Sequence, residues 1–243
     1  MRYTGTPHDI SYAATLDFFE SRGRQASAEA PQTATMYQDS DLATRRDACE
    51  RDTVLPLLAP RPEDRVLDIG CGYGRWGEVL AEHVGAYVGV DFSAELLRLA
   101  QARRLPHASF QRLAAQDIAP ATLEQPGPYD LFICSGLLIY LNDADVTKLA
   151  RAIATLAAPA ARVYLREPMA VTGSRLTLDR FPSAELQRDY SAIYRTPEQC
   201  HALFGTPLRE AGFACAVERS LYPPELCNRQ ETEQQIQFWE RRA

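Results

Sequence analysis

No two of the six cysteines stand as C-x-x-C, and none shares metal-ligand spacing with a histidine. This excludes the common zinc-site patterns and offers no disulfide framework. Cys49, Cys71, Cys134, Cys200, Cys215 and Cys227 are scattered, as buried small hydrophobes are in a reduced, cytoplasmic protein. No apolar run approaches the roughly 20 residues that cross a bilayer. The start, Met1-Arg2-Tyr3-Thr4, leads into polar sequence without the apolar stretch of a secretory signal. A basic stripe is missing too: 26 Lys and Arg stand against 32 Asp and Glu, a formal net charge of −6. That balance counts against nucleic acid as the main partner. Internal repeats and low-complexity tracts are also lacking.

What remains is an ordinary globular composition, 46% hydrophobic and 24% charged over 243 residues. That is enough for one α/β domain with its own core and a small cap. Residues 1–60 read as an N-terminal helical cap, with helices expected at 15–19 and 41–58. From residue 65 strands and helices alternate. Strands are expected at 65–69, 86–90, 109–113, 129–134 and 162–165, and helices at 76–84, 143–156 and 197–211. Ser93 is a good N-cap for a further helix whose Leu96, Leu97 and Ala100 share one face. Such alternation implies a mainly parallel sheet covered on both faces. Two last strands, 214–220 and 235–239, have no helix between them and so pair antiparallel.

The most informative stretch is Val66-Leu-Asp-Ile-Gly-Cys-Gly-Tyr-Gly-Arg-Trp76, a buried strand running through three glycines into a helix. Glycine permits the tight turn and a close approach of ligand to backbone. In open α/β sheets ligands bind beyond the carboxyl ends of the strands. Asp68 stands at such an end, suited to an ammonium group or ordered water. Asp91 ends the second strand, where an acid accepts two hydrogen bonds from a ribose diol. Asp117 follows the third strand and suits an adenine amino group, and Ser135-Gly136 leaves room after the fourth. Gly72-x-Gly74-x-x-Gly77 alone also fits the dinucleotide fingerprint. The ordered set of strand-end residues is the stronger sign of a nucleotide cofactor.

These segments resemble the motifs of class I S-adenosylmethionine-dependent methyltransferases of the small-molecule type. Residues 66–76 look like the first motif, Asp91-Phe92-Ser93 the second, Gln116-Asp117 the third and residues 129–136 the fourth. The resemblance spans about residues 36–240. It implies a Rossmann-like, seven-stranded, mostly parallel sheet with an antiparallel last strand and helices on both faces, over about residues 61–243. It also implies S-adenosylmethionine as cofactor. Asp68, Gly70 and Gly72 would face its methionine part, Asp91 its ribose, and Asp117 and Ile118 its adenine. Cys71, Trp76, Phe92, Ser93, Gln116 and Ser135 belong to the same motifs and complete the expected cofactor wall. Tyr37 and Arg46, from the N-terminal block, would close over the methionine end. A dehydrogenase reading lacks the antiparallel ending and the room for a second domain.

Methyl transfer needs alignment more than acid–base chemistry, and a sulfonium needs no metal. Tyr140, in Gly136-Leu-Leu-Ile-Tyr140, holds a place where similar enzymes often carry a substrate-facing histidine. It is a catalytic candidate or a wall of the pocket. His8 is the second catalytic candidate, placed to fold over the site. Pro168 is expected to end the fifth strand, putting Arg166 and Glu167 at its tip and making residues 166–196 a lid. Tyr190, Tyr194 and Arg195 in that lid, with Asn228 and Arg229 in the last turn, are the remaining candidates for substrate contact. Arginine forks suit a substrate carboxylate or phosphate, and Arg195 leads the set; a solvated rim is the plainer reading. Three functions stay open: a methyltransferase tailoring a natural product or sugar at oxygen or nitrogen, one acting on tRNA or protein, and a non-catalytic cofactor binder.

Overall fold

The computed structural model describes residues 1–26, 40–183, 186 and 188–242. The chain begins with a short strand, β1 (Arg2–Thr4), and two helices, α1 (Tyr12–Gln25) and α2 (Ser40–Leu58). Then come β2 (Arg65–Ile69), α3 (Arg75–Leu80), β3 (Ala86–Asp91), α4 (Ala94–Ala102), β4 (Ala108–Arg112), β5 (Tyr129–Ser135), α5 (Asp143–Leu156) and β6 (Ala157–Ala170). A hairpin follows, β7 (Leu176–Ser183) and β8 (Arg188–Tyr194). The chain closes with α6 (Pro197–Cys200), a π-turn over His201–Gly205, α7 (Thr206–Glu210), β9 (Ala214–Ser220) and β10 (Thr232–Arg241). No helix among the described residues is long and apolar enough to cross a membrane.

The central sheet has the order β4-β3-β2-β5-β6-β10-β9. β2 to β6 run parallel, and β10 is inserted antiparallel to both β6 and β9. Successive strand residues face opposite sides, and here both sides are dry. Leu67, Ile69, Phe132, Cys134, Val163 and Leu165 join one core. Val66, Leu131, Ile133 and Tyr164, their chain neighbours, join the other. α5 covers the first with Val146, Leu149, Ala150 and Ile153, spaced three and four apart along one helical stripe. Val54 and Leu58 of α2, with Trp76 and Leu80 of α3, cover the second.

β6 does not end at the expected Pro168 but runs on to Ala170. The last register pair of β5 with β6 is Ser135 with Arg166, so beyond that point β6 has only β10 beside it. A proline is tolerated where one edge needs no donor. Arg166 and Glu167 are therefore interior strand residues on opposite faces. Residues 166–196, the expected lid, hold an antiparallel hairpin of β7 and β8. β1 adds to it as a third strand, in the order β1-β7-β8. Helix α1 runs for 14 residues, not five, and packs on α4 and β8. Its Phe18 and Phe19 join Leu96, Leu176, Leu178, Tyr190 and Tyr194 in a third core. The N-terminal segment and the hairpin thus form one roof.

One carboxylate clamps the feet of that roof. Asp143 Oδ2 accepts from Arg175 Nη1 at 2.7 Å, just before β7, and Oδ1 from Arg195 Nη2 at 2.7 Å, just after β8. Both arginine side chains are almost wholly buried. Burial alone would raise the Asp143 pKa, but the two guanidiniums outweigh it and hold it below the usual carboxylate value. A depressed carboxylate stabilises the fold above its unfolded pKa of about 3.9 and loses that contribution as pH falls through the folded value. Asp143→Asn leaves two buried cations without their counter-charge and should cost about 3 kcal/mol in urea unfolding. The variant should also show a flatter stability profile below about pH 4; an unchanged midpoint would remove the clamp from the account.

Candidate active site

The ends of β2, β3, β5 and β6 meet on one side of the sheet, and their turns build the site. After β2, Gly70 and Gly72 take left-handed φ of 71° and 54°. A Cβ at Gly70 would lie 2.9 Å from Leu137 Cδ1, and the left-handed φ itself favours glycine here. The Gly70 and Cys71 N–H groups donate to the Val90 carbonyl at 2.8 and 3.0 Å, binding the loop to the end of β3. Asp91 finishes that strand. Its Oδ2 accepts from Gly72 N at 3.0 Å and its Oδ1 from Ser93 N at 2.8 Å. Two backbone donors fix the carboxylate and leave lone pairs for a ligand. Burial pushes its pKa up to about 6 against the pull of those bonds. Asp68 is pushed up to about 7, again by burial, although the Tyr87 hydroxyl donates to it.

These residues line a cavity of about 210 Å³ with three chemically distinct sectors. The first is the acidic wall of Asp68 and Asp91 with the glycine loop. Phe92, Leu113, Ala115 and Gln116 continue it toward β4. The second is a cationic pole of Arg46, Arg75, Arg166 and Arg229, from α2, the start of α3, β6 and the turn before β10. Behind it Glu50 is completely buried between Arg75 Nη2 at 2.9 Å and Arg166 Nε at 3.5 Å. It accepts from Tyr164 Oη at 2.8 Å and from Ser135 Oγ at 3.1 Å. Burial would raise its pKa, but Arg166 and Arg75 outweigh this and hold it near 2, so it is charged at neutral pH. The third sector is an aromatic roof of Tyr12, Phe18, Phe19, Tyr140, Tyr190 and Tyr194. The Tyr140 and Tyr190 hydroxyls lie 3.0 Å apart, and Tyr194 Oη donates to Tyr190 Oη at 3.5 Å. Arg22 is buried among them, its cation 5.6 Å from the Phe18 ring centre.

A family model described as a methyltransferase domain matches residues 66–160, the stretch that carries the glycine loop, Asp91 and Ser135. That match supports the resemblance of the chain to the class I S-adenosylmethionine-dependent methyltransferases. The chain is 28% identical over 153 residues to the ubiquinone biosynthesis O-methyltransferase of Albidiferax ferrireducens, covering 58% of each chain. The phosphoethanolamine N-methyltransferase 1 of Haemonchus contortus, solved with phosphoethanolamine and S-adenosylhomocysteine, superposes with a TM-score of 0.68 at 19% identity. That match covers 96% of this chain and 50% of the other. The magnesium protoporphyrin IX methyltransferase of Synechocystis with bound S-adenosylmethionine gives 0.65 at 18% identity, over 98% and 100%. The chain spans about half the length of the curated relatives it matches. The two solved structures are alike in fold.

The methyltransferase cofactor, S-adenosylmethionine, fits the residues present. Asp91 offers aimed acceptors for a diol, and the backbone of the glycine loop at Gly70 and Gly72 lines the cavity. The Trp76 indole N–H, on the wall next to the cationic pole, is buried with no partner among the described residues. An orphaned buried donor costs about 1–3 kcal/mol, which a ligand acceptor relieves.

The fold brings most of the sequence candidates to this cavity. Asp68, Gly70, Cys71, Gly72, Trp76 and Asp91 line it, as do Arg46, Phe92, Gln116 and Ser135. So do Tyr140, Tyr190, Tyr194, Arg166 and Arg229. Others lie elsewhere. Ser93 is buried and caps α4 at Leu96 N, 3.2 Å away. Asp117 is exposed, and Ile118 is a core residue. Tyr37 falls outside the described residues.

Four candidates are spent on other work. Glu167 accepts from Leu137 N and Leu138 N at 2.7 and 2.8 Å, holding the loop after β5. Arg195 gives its fork to Asp143 and to the Leu138 and Leu141 carbonyls. Asn228 is exposed and accepts from Arg46. His8 stacks on Tyr3 at 3.8 Å beside Asp179, off the cavity. Glu50, Arg75, Tyr12, Phe18, Phe19 and Arg22 were missed. In α1 the signal is Phe18 and Arg22 at i, i+4 on one face with a second phenylalanine adjoining.

Asp91→Ala removes the acceptors for two ligand hydrogen bonds, each worth about 0.5–1.5 kcal/mol. Calorimetry with S-adenosylhomocysteine should show that loss in a variant that still folds. The wild type should bind more weakly at about pH 5 than at pH 7.5, because protonation near 6 takes acceptor capacity from Asp91. Equal affinity at both values would detach the ribose from this carboxylate.

Proposed function

We propose that the chain transfers the methyl group of S-adenosylmethionine to an oxygen or nitrogen of a small metabolite, in the cytoplasm, as a tailoring step on a natural product or sugar. The observation that carries this is the single cavity in which the strand-end cofactor wall faces a roof of six aromatic side chains. The formal net charge of −6 and a cavity of about 210 Å³ favour a small acceptor over tRNA or a protein chain. Both O- and N-methyltransferases stand among the relatives, which agrees with either accepting atom.

The cofactor, when bound, supplies a methyl carbon whose bond to sulfur breaks, with its electron pair moving to sulfur, as the acceptor atom bonds to that carbon. The chain's residues position and shield this displacement. Phe18, Phe19, Tyr140 and Tyr190 close the side opposite the glycine loop and exclude water, which sharpens alignment. The Tyr140 hydroxyl is tied to that of Tyr190, which in turn accepts from Tyr194. It orients the acceptor's O–H or N–H, whose proton leaves to water as the new bond to carbon forms. His8 has no part in this reading, since it lies off the cavity. The acceptor's anionic group sits at the cationic pole against Arg229. Arg195 is replaced in that role, because its hydrogen bonds go to Asp143 and two carbonyls.

A methyl-transfer assay against pooled metabolites, total tRNA and cell protein should put the label in small products alone. Label in tRNA or protein, or none at all, would overturn the reading. Tyr140→Phe should lower kcat about tenfold to hundredfold while S-adenosylhomocysteine affinity holds. Unchanged kcat would reduce Tyr140 to a packing ring. Arg229→Ala should raise KM for the acceptor about tenfold.

A further inference from the structure

Tyr140 and Phe18 have a second side. Away from the cofactor cavity they form part of the floor of another cavity, of about 340 Å³, between helix α1 and the β7–β8 hairpin. Its floor adds two hydroxyls, Thr15 and Ser191, both buried. Its rim carries Asp17, Arg180, Arg188 and Asp189, all exposed. The rim is shaped by an irregularity in the hairpin. The register of β7 against β8 shifts between Leu178 and Phe181, and Arg180 there has a left-handed φ of 45°, unusual for a residue with a side chain. Its N–H donates to Ser191 Oγ at 2.9 Å instead of to a strand carbonyl. Bulges of this kind re-aim side chains, and here the bulged residue is a rim arginine.

The chemistry of this groove differs from that of the cofactor cavity. Two arginines and two aspartates cancel in formal charge, so an anion would meet two carboxylates and a cation two guanidiniums. Donors and acceptors alternate around an aromatic floor. Thr15 Oγ1 gives its proton to the Ser11 carbonyl at 3.1 Å and keeps its lone pairs. Ser191 Oγ accepts the Arg180 N–H and keeps its proton to donate. A neutral ring with many hydroxyls, whose apolar face lies on an aromatic side chain, satisfies such a surface without leaving a charge uncompensated.

We propose that this groove is the outer part of the acceptor site and takes a neutral polyhydroxylated group, a sugar ring or polyol. The acceptor straddles the wall of Tyr140 and Phe18, with its reacting end on the cofactor side. The inference rests on the methyl-transfer reading for its meaning, but its test reads binding alone.

Saturation-transfer NMR on the full chain with S-adenosylhomocysteine would use methyl β-D-glucopyranoside, myo-inositol and glucose 6-phosphate as probes. The two neutral probes should be saturated in the wild type. Their dissociation constants should rise about tenfold in Asp189→Asn and in Arg188→Gln. Both residues are on the rim, so unchanged S-adenosylhomocysteine affinity in each variant certifies the fold. Binding of glucose 6-phosphate without the neutral probes would make the groove an anion site and overturn the proposal. Equal binding of all three probes to wild type and variants, or no binding of the neutral pair, would overturn it too. A chain that binds the sugars but transfers no methyl group leaves the groove standing and fails the function reading. A chain that methylates an acceptor but ignores the sugars does the reverse.

Discussion

The site hangs on one ionised carboxylate with no exposure to water. Glu50 projects from α2 into the second core, where Arg75, Arg166, Tyr164 and Ser135 converge on it. They come from three elements: the helix start after the glycine loop, the interior of β6 and the tip of β5. An isolated carboxylate there would take up a proton; two guanidiniums and two hydroxyls keep it charged instead. Taking one partner from such a cluster costs about 3–5 kcal/mol, because the rest stays buried and uncompensated. An apolar replacement of the whole set would serve stability equally well. What the charges add is placement: they bind the N-terminal block to the sheet and set two arginines along the cavity wall.

The roof follows a separate logic. It joins the first 26 residues to a hairpin more than 150 positions later, and it meets the sheet domain at few points. Asp143 fixes the hairpin feet, while the Tyr12 hydroxyl donates to Asp145 and accepts from Asn142 N, holding the entry to α1 against the same helix start. Glu20 takes the Ala94 and Glu95 N–H groups, so α1 caps α4. All three links use the N-terminal ends of helices that follow cofactor-side strand tips, where orphan N–H groups and the helix dipole favour carboxylates. The roof is thereby registered to the strand ends that carry the cofactor wall.

How much of this the sequence disclosed depends on the range of the interaction. The sheet was legible because buried parallel strands are short apolar runs, and the glycine loop because left-handed turns restrict the residue type to glycine. β10 and β6 came out longer than their expected spans because they pair with each other from Thr232 with Ala170 to Arg241 with Ala161, through the polar residues at either end of β10. The hairpin was hidden by its bulge at Arg180 and by Pro182, which break the alternation of β7. The arginines show the limit most clearly. Arg195 and Arg229 look alike in the chain, and both reach the correct side of the sheet. Asp143, 52 residues from Arg195, decides that one is a clamp and the other a wall. Glu50 stands in Arg46-Asp-Ala-Cys-Glu-Arg-Asp52, which reads as a solvated helix face; only packing reveals that one of its acids is the most deeply buried charge of the site.

The three sectors of the cavity have an electrostatic order. Asp68 and Asp91 are drawn toward neutrality by burial, so the acidic wall holds less charge in the free protein than its composition suggests. A cationic group placed beside them favours their ionised forms and so restores that charge. The cationic pole behaves differently, since, despite their burial, Arg75 and Arg166 are held in their charged forms by Glu50. A cationic group is then met by a wall that ionises as it arrives, and an anionic group by a pole that is fixed in advance. The aromatic roof, which displaces water, strengthens both interactions. The orientation that places the reacting carbon beneath Tyr140 thus comes from three different surfaces, and the two charged ones are built on the strands while the third is brought by the N-terminus and the hairpin.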